Sequence, residues 1–232
     1  MFNLFGKRKT PRIKKQVLMT EGKYVVVDLE LTGLDEKKDS IVSIGAVCMH
    51  GGVIDLGNTF YQLISPRTEL KASSVVIHEI MPSEVAKEPS IDLVIDEFLN
   101  FCGDSIIVGH FVDIDLAFIN REMKRIHGAT VTNPAVDTMS IYEWLRKRNK
   151  SGSCAATLFS GYRLYDIVKC YGISVNGAHN ALMDAFTTAQ LLQRFFPLMG
   201  EAGVKDISDL LSIGVPFKGG DRFGLLGEFG NF

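Results

Sequence analysis

The sequence predicts an α/β fold, a mixed β-sheet flanked by helices, and three observations carry that expectation. Near the N-terminus, β-branched and aromatic stretches separated by short turns have the pattern of a strand meander. Farther along, short apolar runs alternate with segments whose apolar residues recur at three and four, the pattern of amphipathic helices. The chain has 232 residues, 46% hydrophobic and 22% charged, which suffices to bury one substantial core and is unlike a disordered polymer. A meander followed by alternating strands and helices implies one sheet with antiparallel and parallel pairs and helices on its faces.

Residues 1–22 read as a basic arm, with six Lys or Arg between Lys7 and Lys15 and no clear period. Tyr24-Val25-Val26-Val27 is too short for a helix and too apolar for an edge, so it is expected as a central strand ending at Asp28 and Glu30. A second strand is expected near Ser40 to Met49, a turn at His50-Gly51-Gly52, and a third strand from Val53 to Ile64. After Pro82 and Pro89, the stripe Ile91, Val94, Ile95, Phe98, Leu99 predicts a helix. Ser105 to Val108 is a short strand broken by Gly109-His110, and a helix restarts at Ile114, Ala117 and Phe118. Val136 to Met139 reads as a strand and Ile141 to Arg148 as a helix, followed by a Ser- and Ala-rich loop over 149–160. Leu164, Ile167, Val168 and Tyr171 form a helical stripe ended by Gly172, and a last long helix from Ala181 to Phe196 is expected to stop at Pro197. The Gly- and Phe-containing stretch 200–232 reads as a loosely docked tail, which leaves 23–199 as the one domain.

Bulk properties narrow the function classes. No apolar run approaches a membrane span, and the basic N-terminus lacks the apolar stretch of a secretory signal, so the expectation is a cytoplasmic protein with no membrane partner. Cys48, Cys102, Cys154 and Cys170 are scattered without zinc-site or redox-dithiol spacing and are expected as reduced thiols. The formal net charge of −2 gives no broad attraction to nucleic acid, although an acidic metal site would hide its local charge from that count.

The chemistry begins at Asp28-Leu29-Glu30. Alternate strand positions point to the same side, so both carboxylates share one face at the end of a buried strand. They repel unless a cation lies between them, and hard divalent ions such as Mg²⁺ or Mn²⁺ prefer such oxygen ligands. By itself this pair is an ordinary solvated strand end. Asp115, taken singly, is an acid at a helix start, and His179 alone is a helix-start histidine. His179 and Asp184 flank the start of the last long helix, on neighbouring faces that can approach one cleft. If the stretch around Asp115 is helical, Asp113 lies about 200° away from it and turns toward solvent.

Together these segments resemble the DEDDh (DnaQ-like) exonuclease superfamily, which includes polymerase proofreading subunits, RNase T and oligoribonuclease. The resemblance spans Tyr24 to Phe196. It rests on Asp28-Leu29-Glu30-Leu31-Thr32-Gly33, on Gly109-His110 through Asp115 and Phe118, and on His179 through Asp184, with echoes at Ile44-Gly45-Ala46-Val47, Val76-Ile77-His78-Glu79-Ile80, Asp137-Thr138 and Tyr171-Gly172-Ile173. It implies a ribonuclease H-like fold and a 3′→5′ exonuclease in which Asp28, Glu30, Asp115 and Asp184 bind two divalent cations, Mg²⁺ or Mn²⁺. His179 would be the general base that takes a proton from the attacking water, a task suited to a neutral imidazole. The terminal-nucleotide pocket maps onto Leu31, Thr32, Leu34 and His78. Leu31, Phe111, Ile114 and Ala178 depart from the residues common in the family, and these changes bear on the pocket and on DNA versus RNA preference.

The expected partner is a nucleic-acid 3′ end, DNA before RNA, and a protein partner such as a polymerase is left open by the sequence. An RNA-trimming enzyme like RNase T or oligoribonuclease would use the same catalytic set. A non-catalytic nucleic-acid-binding module is the alternative of a different class, but such a module has no need for a repulsive acid cluster.

Overall fold

The computed structural model describes residues 17–148, 162–175 and 177–216. Its five-stranded sheet has the order β3-β2-β1-β4-β5. β1 (Lys23–Leu31), β2 (Ile41–His50) and β3 (Val53–Leu63) form the antiparallel meander. Gly51, at φ 55°, makes its hairpin turn in a conformation that L side chains rarely adopt. Two short helices follow, α1 (Ala72–His78) and α2 (Pro82–Val85), then α3 (Ile91–Cys102). β4 (Ile106–Gly109) and β5 (Ala135–Asp137) extend the sheet in parallel with β1, joined by α4 (Val112–His127). α5 (Thr138–Lys147), α6 (Leu164–Cys170), α7 (Ala181–Glu201) and α8 (Ile207–Ile213) complete the described chain. This mixed sheet flanked by helices is the predicted α/β class.

Strand parity sorts the core into two layers. Val25, Val27 and Leu29 pack with α3 and α4 on one face, through Phe98, Phe118 and Ile119. Tyr24 and Val26 face the other way, into a cluster with α5 to α8 that includes Leu192 and Phe195. Asp28 and Glu30 continue that second parity, so the strand turns both acids toward the face that α7 covers.

Gly45 sets how closely α7 can approach. It pairs with Asp28 across β1 and β2, and a Cβ there would lie 2.1 Å from the Ala181 carbonyl carbon and 2.2 Å from the Leu182 nitrogen. Only a glycine lets the first turn of α7 rest on the sheet at this level.

The structure corrects several expectations. Pro197 does not stop the last helix, which runs on to Glu201; Met199 is fully buried and burial of that turn outweighs the amide hydrogen bond a proline cannot donate. The domain overruns both expected boundaries, 22 and 200. Met19 is buried, the Met19 amide donates to the Lys205 carbonyl at 3.0 Å, and Leu18 bridges Asp206. α8 buries Ile207 and Leu210, so residues up to 216 belong to the packed unit rather than to a loose tail. Cys170 is disulfide-bonded, against the expectation of reduced thiols, while Cys48 is a free thiol and both Cys48 and Cys102 are buried. α1, α2 and α8 had no counterpart in the sequence reading. The basic arm between Lys7 and Lys15, the loop over 149–160 and the tail phenylalanines lie outside the described residues.

Candidate active site

The carboxyl ends of β1 and β4, which run parallel, open into a cleft of about 560 Å³. Asp28, Glu30, Asp115, Asp184 and His179 all line it, as do Leu31, Thr32, Leu34 and His78. The fold therefore brings these nine candidate site residues to one cleft.

Carboxylate oxygens of Asp28, Glu30 and Asp184 lie within 4.8 Å of one another. Asp115 stands outside that closest set but near enough that its charge acts on Asp28 and Glu30. Burial, and then the charges of Asp115, Glu30 and Asp184, push the Asp28 carboxyl well above the usual range. Burial, Asp184 and Asp115 push Glu30 up to about 8. Such a cluster holds protons or cations at neutral pH, and its all-oxygen donor set fits hard divalent ions. Asp115 and Asp184 sit in the first turns of α4 and α7, where the helix dipole favours negative charge.

Local sequence explains each placement. Asn180 caps α7 by accepting from the Leu182 and Met183 amides at 3.2 Å each, which fixes where the first turn begins and hence where Asp184 points. α4 is helical from Val112, so Asp113 and Asp115 already differ by about 200°. Asp115 lines the cleft, whereas Asp113 does not and acts instead on Asp137. Asp137, fully buried, accepts from the Phe111 amide at 3.1 Å and the Met139 amide at 2.9 Å, so one carboxylate caps the starts of both α4 and α5. Burial drives its pKa up to about 7 against the pull of those amides. His110 is structural. The Tyr162 carbonyl can only accept, so Nε2 donates to it at 2.7 Å and Nδ1 takes the Thr138 hydroxyl at 2.9 Å. Burial holds this ring neutral, with its pKa down to about 4.

The pocket side is built on a polar loop. The Thr32 hydroxyl accepts from the Ser40 amide at 2.9 Å and donates to Asp39, whose other contacts include Lys71 Nζ at 2.6 Å. Thr32 therefore shapes the wall with its hydroxyl already committed to the loop. Arg121 anchors the same loop from α4, donating to the carbonyls of Glu36 and Asp39 while its other nitrogens hold buried Glu122. His78 is 6% exposed; its Nδ1 accepts from the Ile80 amide at 3.0 Å, so the neutral ring carries its proton on Nε2. Among the described residues Nε2 meets no hydrogen-bond partner. Burial, followed by the nearby charge of His179, keeps this ring below its ordinary pKa.

One site residue escaped the sequence reading. Tyr165, on α6, donates its hydroxyl to both oxygens of Asp184 at 2.6 Å. It lies just off the apolar stripe of its helix, and nothing in its spacing links it to Asp184.

Residues 25–192 match the RNase T family, described as exonuclease. The chain is 33% identical over 182 residues to the DNA polymerase III subunit epsilon of Aquifex aeolicus, covering 77% of this chain and 83% of that one. It is 34% identical over 187 residues to the PolC-type DNA polymerase III of Thermotoga maritima, covering 81% of this chain but only 13% of that much longer protein. Among solved structures, Exonuclease X in complex with 5′ overhanging duplex DNA superposes with a TM-score of 0.60 at 23% identity, over 82% of this chain and 99% of that one. E. coli Exonuclease I in complex with a dT13 oligonucleotide gives 0.66 at 15% identity, over 78% of this chain and 42% of that one, and both show the shared fold. With the family matched across most of its length and the acid cluster set in the family's fold, this chain belongs to the RNase T exonuclease family and is a phosphodiester hydrolase of the 3′→5′ exonuclease type.

Proposed function

We propose that this protein releases nucleoside 5′-monophosphates from the 3′ end of DNA, in a proofreading or repair role, using two divalent cations, Mg²⁺ or Mn²⁺. The observation that carries the proposal is the meeting of Asp28, Glu30 and Asp184 within 4.8 Å, at a cleft that Asp115 and His179 also line. Asp28, Glu30, Asp115 and Asp184 hold the cations. When bound, these ions supply acidification of the attacking water and neutralisation of charge on the phosphate. His179 takes the proton from that water. His78 offers its Nε2 proton to an oxygen of the terminal nucleotide, and Leu31 and Leu34 provide apolar walls for its base, with Thr32 beneath them. The likeness to a DNA polymerase III subunit favours DNA over RNA, a polymerase as protein partner and a cytoplasmic location. No helix among the described residues is long and apolar enough to cross a membrane.

The test compares 5′-labelled single-stranded DNA, mismatched duplex DNA, single-stranded RNA and a dinucleotide, each with Mn²⁺ and with excess chelator. Stepwise shortening of the DNA substrates in Mn²⁺ alone is expected. Turnover in chelator would contradict the metal mechanism, and faster trimming of RNA would shift the assignment to an exoribonuclease.

A further inference from the structure

Tyr165 is half-buried at the cleft wall, and its hydroxyl sits between the two groups that the chemistry needs held still. It donates across both Asp184 oxygens, at 2.6 Å each, and accepts from the His179 amide at 2.9 Å. The same amide reaches Asp184 Oδ2 at 3.1 Å. The three groups thus close a ring of hydrogen bonds, and the Tyr165 and His179 side chains meet edge to face at 5.2 Å between centroids. His179 needs such a hold. Its φ is 63°, in the left-handed region that few L residues occupy. A carboxylate offers about four lone-pair directions, and this ring leaves the rest of Asp184 open toward Asp28 and Glu30.

We propose that Tyr165 is a positioning residue for the cation site, its hydroxyl fixing the Asp184 carboxylate and the His179 backbone in a single arrangement. The inference rests on the metal-dependent function proposed above. Partners that orient a metal ligand are worth about ten- to a hundredfold in metal affinity, and the Tyr165 hydroxyl reaches both Asp184 oxygens.

Calorimetric titration of the nucleic-acid-free protein with Mn²⁺ tests it. Tyr165→Phe keeps the ring and removes the hydroxyl, and should raise the Mn²⁺ dissociation constant about tenfold. The same substitution in an Asp184→Asn background should add no further loss. An unchanged or tighter constant in Tyr165→Phe would overturn the inference while leaving the metal site standing. A wild-type protein that takes up no Mn²⁺ would remove the function it rests on, and the inference with it. At saturating Mn²⁺ the variant should still turn over more slowly, at unchanged KM for an oligonucleotide; full recovery there would overturn the His179 half. Should the variant fail to fold, wild-type protein carrying 3-fluorotyrosine gives a second reading. The Tyr165 resonance should shift along a Mg²⁺ titration, and indifference to Mg²⁺ would overturn the inference.

Discussion

Asp113 and Asp115 are near neighbours with opposite surroundings, and the difference follows from helical geometry alone. Because α4 is already helical at Val112, only one of the two can line the cleft, and that one is Asp115. Asp115→Asn is therefore expected to cut turnover by about two to three orders of magnitude, in the range for losing a group that acts on developing charge. Asp113→Asn should change it less than about threefold; single-turnover assays at saturating Mn²⁺ decide, and the reverse ranking would place the ligand at Asp113. His179→Ala should cost about 10²- to 10⁴-fold in turnover with little change in oligonucleotide KM, as expected for loss of a general base. An unaltered rate would exclude that role. At this scale the sequence was informative where chemistry is repeated in a fixed order. The alternate-position acids Asp28 and Glu30 share a face by strand parity, a property visible without any structure. Tyr165 was invisible for the opposite reason: its link to Asp184 joins two helices through a contact that no linear spacing encodes.

Among elements, the junction of β2 with α7 governs the site. Gly45 faces backbone atoms of Ala181 and Leu182, and backbone cannot rotate aside as a side chain can. Gly45→Ala should lift the first turn of α7 away from Asp28 and cost about 1–3 kcal/mol in overpacking, or about 2–4 °C of unfolding midpoint per kcal/mol for a chain of this size. Mn²⁺ affinity should fall with it, because Asp184 travels with that turn. Thermal unfolding with and without Mn²⁺ checks both effects, and a variant that melts like wild type would mean that the helix accommodates the methyl without moving. The sequence marked Gly45 as part of an apolar strand but could not say what it approaches. Strands and long helices were legible because their periods repeat; the short α1, which walls the pocket through Ile77 and His78, was not. The length of α7 was misjudged because proline's missing donor is a local penalty and the burial of Met199 is a tertiary gain.

For the molecule as a whole, burying so many acids ties stability to pH and to cations. Burial and its neighbours hold the Glu30 carboxyl at about 8, and burial holds Asp137 at about 7, both above their unfolded values near 4. Groups raised in this way bind protons in the folded state that the unfolded chain has already released. Their contribution is complete below the unfolded pKa and is lost as pH rises through the folded one. His110 works in the other direction, since its folded pKa near 4 lies below the ordinary 6.5, and its effect is confined to pH below about 6.5. In chelator, the unfolding midpoint should therefore fall between pH 6.5 and 8.5, and Mn²⁺ should flatten or reverse that fall. A chelated protein that gains stability over this interval would contradict the assignment. The overall α/β class was readable because a meander followed by alternating elements admits few sheets, but the exact ends were not, since residues 17–22 and 200–216 pack through contacts between distant parts of the chain. The position of α7 carries one more consequence. It lies across β1, β2 and β3 and supplies Asp184 long after Asp28 and Glu30 have been synthesised. A nascent or clipped chain that ends before α7 owns Asp28, Glu30 and Asp115 but lacks Asp184, the third member of the closest carboxylate set. The full carboxylate set thus comes together only once α7 has been made, so a chain that ends before Ala181 is expected to leave nucleic acid uncut.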